Sequence, residues 1–207
     1  MEDVLGAYER PYDPKRPLLC IDERPCQLID DVLVPLPMQP GKAEREGYQY
    51  KRNGVCSVFI AFEPLTGRRI VQGRKRRTKK DYAEFMKYVA DTFYPDADQL
   101  VIVQDNLNTH NPSSFYTILE PEQAFDFAAR FEMHYTPTKA SWLNMVEIEL
   151  SILSKQCLDR RIADMATLER EVLAWVQERN AKQATINWQF TQNKARDKFK
   201  RFYPNLS

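Results

Sequence analysis

Leu100-Val101-Ile102-Val103-Gln104-Asp105-Asn106-Leu107-Asn108-Thr109-His110 is the stretch that decides the fold. A short apolar run reads as a buried strand, and it delivers an aspartate into a polar loop. Leu18-Leu19-Cys20-Ile21 does the same for Asp22. Continuous apolar runs of this kind, rather than alternating ones, belong to strands covered on both faces. A third acid, Glu147, lies downstream in Trp142-Leu143-Asn144-Met145-Val146-Glu147, at the start of a segment that reads as a helix. An isolated acid at an element end is ordinarily a surface residue. Three acids at the ends of such elements imply a cluster.

Carboxylates forced together repel, and their pKa values rise unless a cation offsets the charge. Magnesium and manganese take oxygen ligands and satisfy such a cluster. Two such ions about 3.5–4 Å apart activate an attacking oxygen and stabilise a leaving one, which is the chemistry of in-line phosphoryl transfer.

Composition narrows the alternatives. The chain has 207 residues, 43% hydrophobic and 12% aromatic, enough for one well-packed α/β domain. No apolar stretch approaches the roughly 20 residues that span a bilayer, and the acidic N-terminus lacks a signal-peptide pattern, so a cytoplasmic protein with no membrane partner is expected. The four cysteines, Cys20, Cys26, Cys56 and Cys157, form no CxxC pair, which argues against a zinc site or a disulfide framework. A net charge of +1 does not mark the whole chain as a nucleic-acid binder, so any such role must come from local patches.

Outward from the two strands, Pro11, Pro14 and Pro17 predict an extended connector over 1–17. Pro35, Pro37, Pro40 and Gly41 predict a long irregular insertion as far as Tyr50. Ser57 to Glu63, the turn Pro64-Leu65-Thr66-Gly67 and Arg69-Ile70-Val71 predict a β-hairpin. Thr78 with Asp81 predicts a capped helix carrying Tyr82, Phe85, Met86, Val89 and Phe93 on one face. A short helix after Pro112, a helical stretch near Ala124 to Arg130, a strand Phe131 to Tyr135 and a helix striped by Leu168, Val172, Trp175 and Val176 complete the pattern.

Cys20-Ile21-Asp22-Glu23, Asp105-Asn106-Leu107-Asn108-Thr109-His110 and Trp142-Leu143-Asn144-Met145-Val146-Glu147 together resemble the catalytic domain of mariner-type transposases, specifically the bacterial insertion-sequence branch often called the IS six-thirty group. The resemblance runs from about Arg16 to Asn180. It implies an α/β, ribonuclease H-like fold with a central mixed sheet flanked by helices, and Asp22, Asp105 and Glu147 as the DDE triad holding two divalent metal ions, Mg2+ or Mn2+. The implied reaction is metal-dependent DNA strand cleavage and strand transfer. The implied partner is DNA, as transposon ends and target, and a homodimer is compatible with it; no small-molecule cofactor is expected. The interval from Asp105 to Glu147 is longer than usual in that family, the extra length falling at Glu120 to Arg130. The family also carries an N-terminal helix-turn-helix region, so residues 1–17 are expected to be the linker that follows it, with 18–180 as catalytic domain and 181–207 as a basic, aromatic tail. The rival readings are a non-catalytic, DNA-binding or regulatory transposase fragment, which retention of all three acids disfavours, and a hydrolase of RNA–DNA hybrids, which the Trp142 to Glu147 motif disfavours.

Two acids compete with the triad. Glu23 adjoins Asp22, but strand alternation sends neighbours to opposite faces. Glu149 lies two places from Glu147, about 200° around a helix, while Ser151 and Ser154 share the Glu147 stripe on a helix otherwise apolar nearly all round, which predicts a buried helix with a narrow polar stripe. Asn106, Asn108, His110 and Asn144 are the expected supporting residues beside the metals, and His134 is expected to be structural. For DNA contact the chain offers Arg68, Arg69, Arg74, Lys75, Arg76, Arg77, Lys79 and Lys80, with no acid among them. Lys79 and Lys80 fall in the first turn of a helix, where cations oppose the macrodipole, and phosphate contact would favour them there. A second basic run, Lys194 to Arg201, is interleaved with Phe199, Phe202 and Tyr203 and reads equally as a base-stacking surface or as a tail docked on the domain.

Overall fold

The computed structural model describes residues 1–33, 37–43 and 47–202. In chain order the elements are α1 (Glu2–Tyr8), β1 (Leu18–Asp31), β2 (Tyr50–Glu63), β3 (Arg68–Arg74), α2 (Lys79–Tyr88), β4 (Leu100–Gln104), α3 (Pro121–Ala129), β5 (Phe131–Tyr135), α4 (Val146–Gln156), α5 (Met165–Ala181) and α6 (Gln192–Lys198). The five strands form one mixed sheet in the order β3-β2-β1-β4-β5. The first three are antiparallel neighbours, and β1–β4 and β4–β5 are parallel.

Alternation along the strands builds two cores. Cys20, Val58, Ile60, Phe62, Val71 and Val103 face the layer that contains Val146, Leu150 and Leu153 of α4 and Leu168, Val172, Trp175 and Val176 of α5. Leu19, Ile21, Phe59, Ala61, Ile70 and Ile102 face Tyr82, Phe85 and Met86 of α2, together with Phe115, Phe127 and Phe131. Burial on both faces is what the unbroken apolar runs encode.

The hairpin forms as expected, and Gly67 in its turn has a φ of +72°, where a side chain would meet the backbone of Gln183 at 2.8 Å. Thr78 and Asp81 form a reciprocal capping box at the start of α2. Cys20, Cys56 and Cys157 are buried free thiols. The described part of the insertion, 37–43 and 47–49, is irregular apart from a bridge between Gln39 and Lys42; Pro35 lies outside the described residues, as does Tyr203 of the tail. No helix among the described residues is long and apolar enough to cross a membrane.

Three expectations are corrected. Residues 1–17 are not all extended: α1 precedes the three prolines and buries Val4, Leu5 and Ala7 completely or nearly so. Prolines constrain their own positions and the residue before them, and here they leave the first eight residues free to coil. Second, β1 does not end at Asp22 but runs on to Asp31, paired with β2. Its pairing with β4 stops at Cys20, so Asp22 sits just beyond the point where the flank of β1 becomes free. Third, α4 is not buried all round, because Ile148 is 40% exposed.

The tail is a docked one where it is described. In α6, Ala195 is buried and Gln192 donates to the Glu2 carbonyl at 2.8 Å. Phe190 meets Trp142 and Phe199 edge-on, and Trp188 meets Tyr8.

Candidate active site

Three elements supply the acids. The sheet register places Asp22 on the α4 face of β1, Asp105 follows the last residue of β4, and Glu147 is the second residue of α4. All three line an open pocket of about 480 Å³, together with Ser151 and Ser154 of the Glu147 stripe and with Arg24, Arg77 and Lys155. A larger cavity of about 610 Å³ lies around Glu63, Tyr94 and Arg68 at the start of β3 and holds none of these acids. Chemistry, not size, therefore singles out the smaller one.

Asn144 connects the parts. It is buried and donates from Nδ2 to the Ile21 carbonyl at 2.9 Å, while its own carbonyl accepts from the Glu147 amide at 3.1 Å. The lead into α4 is thereby tied to the residue before Asp22. It does not touch the carboxylates.

The acids sense one another. Burial pushes the Asp22 carboxyl up to about 7, and the charges of Glu23, Glu147 and Asp105 add to that, against one hydrogen bond from the Glu23 amide. Asp105 is half-buried, which alone would raise it, yet His110 holds it below the usual carboxylate range. Among the described residues, no three acidic, histidine or cysteine side chains are gathered closely enough to enclose an ion.

His110 is buried to 1%. Its Nδ1 lies 2.5 Å from Asp105 Oδ1 and its Nε2 2.9 Å from Glu23 Oε2, with the ring against Tyr82 at 4.9 Å. Burial would lower its pKa, but the two carboxylates outweigh that and raise it to about 9. Glu23 does face away from Asp22, as alternation requires, and its role beneath the site was not legible because His110 is far from it in sequence. Asn106 and Asn108 are exposed and, among the described residues, their side chains make no hydrogen bond to the acids. His134 bridges Asp3 and Glu132 at 2.8 and 3.0 Å, a structural position at the sheet edge.

Glu149 is fully buried on the other side of α4. Arg179 grips it with two nitrogens at 3.0 and 2.9 Å, and Arg69 donates to it at 2.6 Å. This overturns the expectation that Arg69 contacts DNA: its guanidinium is enclosed against Phe62 and bound to the Gly67 and Ala184 carbonyls. A charge in the interior needs a partner, and Glu149 is that partner. The rest of the basic run divides. Arg68 stacks over Phe93 and Tyr94 beside the larger cavity, at the far end of β3 from Arg74. Arg74 pairs with Glu84 and Gln72. Lys75, Arg76, Arg77, Lys79 and Lys80 are exposed, with Arg77 3.6 Å from Glu23.

The family model described as DDE superfamily endonuclease matches residues 17–169. No curated protein matches the chain by sequence. Among solved structures, the Mos1 mariner paired end complex with Mn superposes with a TM-score of 0.56 at 12% identity, over 87% of this chain and 54% of that one. The Mos1 strand transfer complex gives 0.54 at 14% identity, over 86% and 50%. The simian T-cell lymphotropic virus intasome in complex with PP2A regulatory subunit B56 gamma gives 0.50 at 13%, over 96% and 58%. At these identities the likeness is one of fold, and the fold is ribonuclease H-like. The chain spans about half the length of the Mos1 chains it matches.

Proposed function

The chain belongs to the DDE superfamily of endonucleases, and from that premise we propose that it is the catalytic domain of a mariner-type transposase, which cuts and rejoins DNA strands. The observation that carries this reading is that Asp22, Asp105 and Glu147, brought from three separate elements, line one open pocket inside the matched region. That match also supports placing the catalytic core within 18–180. DNA, as transposon ends and target, is the partner, and a homodimer is the assembly this reading carries with it.

An all-carboxylate donor set suits hard divalent cations, and the raised Asp22 carboxyl is what a cluster waiting for a counter-charge would show. Asp22, Asp105 and Glu147 would hold two ions, Mg2+ or Mn2+. When bound, these would activate the attacking oxygen and stabilise the leaving one. The chain's own contribution is positional: β1 and β4 fix the aspartates, Asn144 sets α4 against β1, and Arg77, Arg24 and Lys155 at the rim offer cations to the phosphates. Among the supporting residues expected from sequence, His110 and Asn144 keep that role in this reading, whereas Asn106 and Asn108 serve only as part of the loop that follows Asp105.

Cleavage of a branched DNA in Mg2+ or Mn2+ tests the proposal. Asp22→Asn, Asp105→Asn and Glu147→Gln each abolish cleavage while the fold persists; full activity in Asp105→Asn overturns it.

A further inference from the structure

Glu23 lies outside the acidic pocket's expected ligand set, yet it is 8% exposed, and each of its oxygens is engaged. Oε2 sits 2.9 Å from His110 Nε2, and Oε1 faces the Arg77 guanidinium at 3.6 Å. The other nitrogen of the same imidazole is 2.5 Å from Asp105 Oδ1. The ring is further fixed by Tyr82 on its face, and Tyr82 is itself held by a 2.8 Å hydrogen bond to Gln104, the residue before Asp105. Gln104 then donates from Nε2 to the His110 carbonyl at 3.0 Å, closing the loop on itself.

Asp105 is the least anchored of the three acids by its own element, because it stands past the end of β4. Its backbone leads into an exposed loop, which gives the carboxylate one long contact, from the Leu107 amide to Oδ1 at 3.3 Å, so the shorter contact from the buried His110 ring is the stronger hold on its direction. We propose that Glu23 is a positioning residue: through His110 it fixes the orientation of the Asp105 carboxylate, which would hold metal. This inference rests on the reading of Asp105 as a metal ligand. Partners one step removed from a metal orient the ligands they touch, and their loss weakens metal affinity by about 10–100-fold. A buried carboxylate and a buried histidine supply that orientation from beneath the half-buried Asp105.

The test is a Mn2+ titration of the purified full chain, followed by electron paramagnetic resonance of the free ion, with thermal melting of each metal-free variant. Glu23→Ala is expected to raise the Mn2+ concentration for half-saturation by about tenfold or more. Glu23→Gln keeps an acceptor for His110 and is expected to stay within about threefold of the parent, since orientation rather than charge is what the chain of contacts supplies. His110→Ala is expected to match Glu23→Ala, and the double variant to be no weaker than His110→Ala alone, because both act through one connection. Equal loss in Glu23→Ala and Glu23→Gln, or additive losses in the double variant, overturns the proposal. If Glu23→Ala fails to fold, Glu23→Leu takes its place, since it fills the buried position while removing the acceptor for His110, and parent-like Mn2+ binding in it overturns the proposal. Asp105→Asn separates the two levels: unaltered Mn2+ binding there sinks the metal reading itself, whereas loss there with parent-like binding in Glu23→Ala sinks only the role of Glu23.

Discussion

Asp22 and His110 both bind a proton more tightly in the folded chain than in the unfolded one, and their effects on stability therefore add. The Asp22 carboxyl rises from 3.8 to about 7, so its folded form holds a proton that the unfolded form has lost throughout that interval. His110 rises from 6.5 to about 9 and does the same in the next interval. Stability falls with pH wherever the folded state binds more protons. The contribution of His110 is complete below 6.5 and is lost as pH rises through 9; that of Asp22 is complete below 3.8 and is lost as pH rises through 7. Asp105, held low, works the other way, but only in the acidic range below its ordinary 3.8. The melting temperature of the metal-free protein should therefore decline steadily from pH 5 to pH 9. Asp22→Asn should flatten the part below 7, and His110→Gln the part above 6.5. A profile that rises over this range in the parent protein would contradict both assignments.

At the scale of elements, α4 carries two glutamates with opposite fates. Glu147 opens toward the acidic pocket, while Glu149 is locked between Arg69 of β3 and Arg179 of α5. Removing one member of a buried ion group leaves an uncompensated charge and costs about 3–5 kcal/mol. Glu149→Gln should lower the unfolding free energy by that amount in urea titrations, because Arg69 then stays charged in the interior with no carboxylate; Arg69→Gln should cost less, since Arg179 still pairs with Glu149, and Glu147→Gln should leave stability unchanged or raised. A stable Glu149→Gln protein would show that the ion group of Arg69, Glu149 and Arg179 is not what holds α4 to its neighbours. The cap of α2 is a smaller effect: Thr78→Ala should cost about 1 kcal/mol, because the Asp81 amide then loses the Thr78 hydroxyl that accepts from it, while the Asp81 carboxylate keeps the backbone amide of residue 78. What was legible follows from these contacts. The apolar runs, the hairpin glycine and the Thr78 cap are local patterns, and the structure follows them. Local alternation also separated Asp22 from Glu23, and helical periodicity separated Glu147 from Glu149. The partners of Glu23 and Glu149 were not legible, because they are long-range: 87 positions separate Glu23 from His110, and 80 separate Arg69 from Glu149. Arg69 looked like a member of a solvated basic run for that reason. The helix α1 escaped notice because the prolines that follow it dominate the composition of its segment.

For the molecule as a whole, a net charge of +1 means that the proposed affinity for DNA must depend on where the cations are, not on their number. The structure sorts the basic run by position. Arg69 is spent inside the protein, Arg74 faces Glu84, and Arg68 lies over two aromatic rings at the start of β3. Lys75, Arg76, Arg77, Lys79 and Lys80 are exposed after the end of β3 and through the first turn of α2, with Arg77 reaching the rim of the acidic pocket. Each phosphate contact on duplex DNA contributes about 0.9 to the slope of log affinity against log salt. Changing Lys75, Arg76 and Arg77 together to Gln should therefore weaken binding to all duplex sequences alike and flatten that slope by up to about 0.9 for each contact removed. Arg68→Gln should leave the slope as it is, and so should Arg69→Gln under conditions where that variant stays folded. Fluorescence anisotropy of a labelled duplex over a salt series measures both. An unchanged slope in the triple variant would return these residues to being a solvated turn, and a reduced slope in Arg68→Gln would move the DNA path to the opposite end of β3.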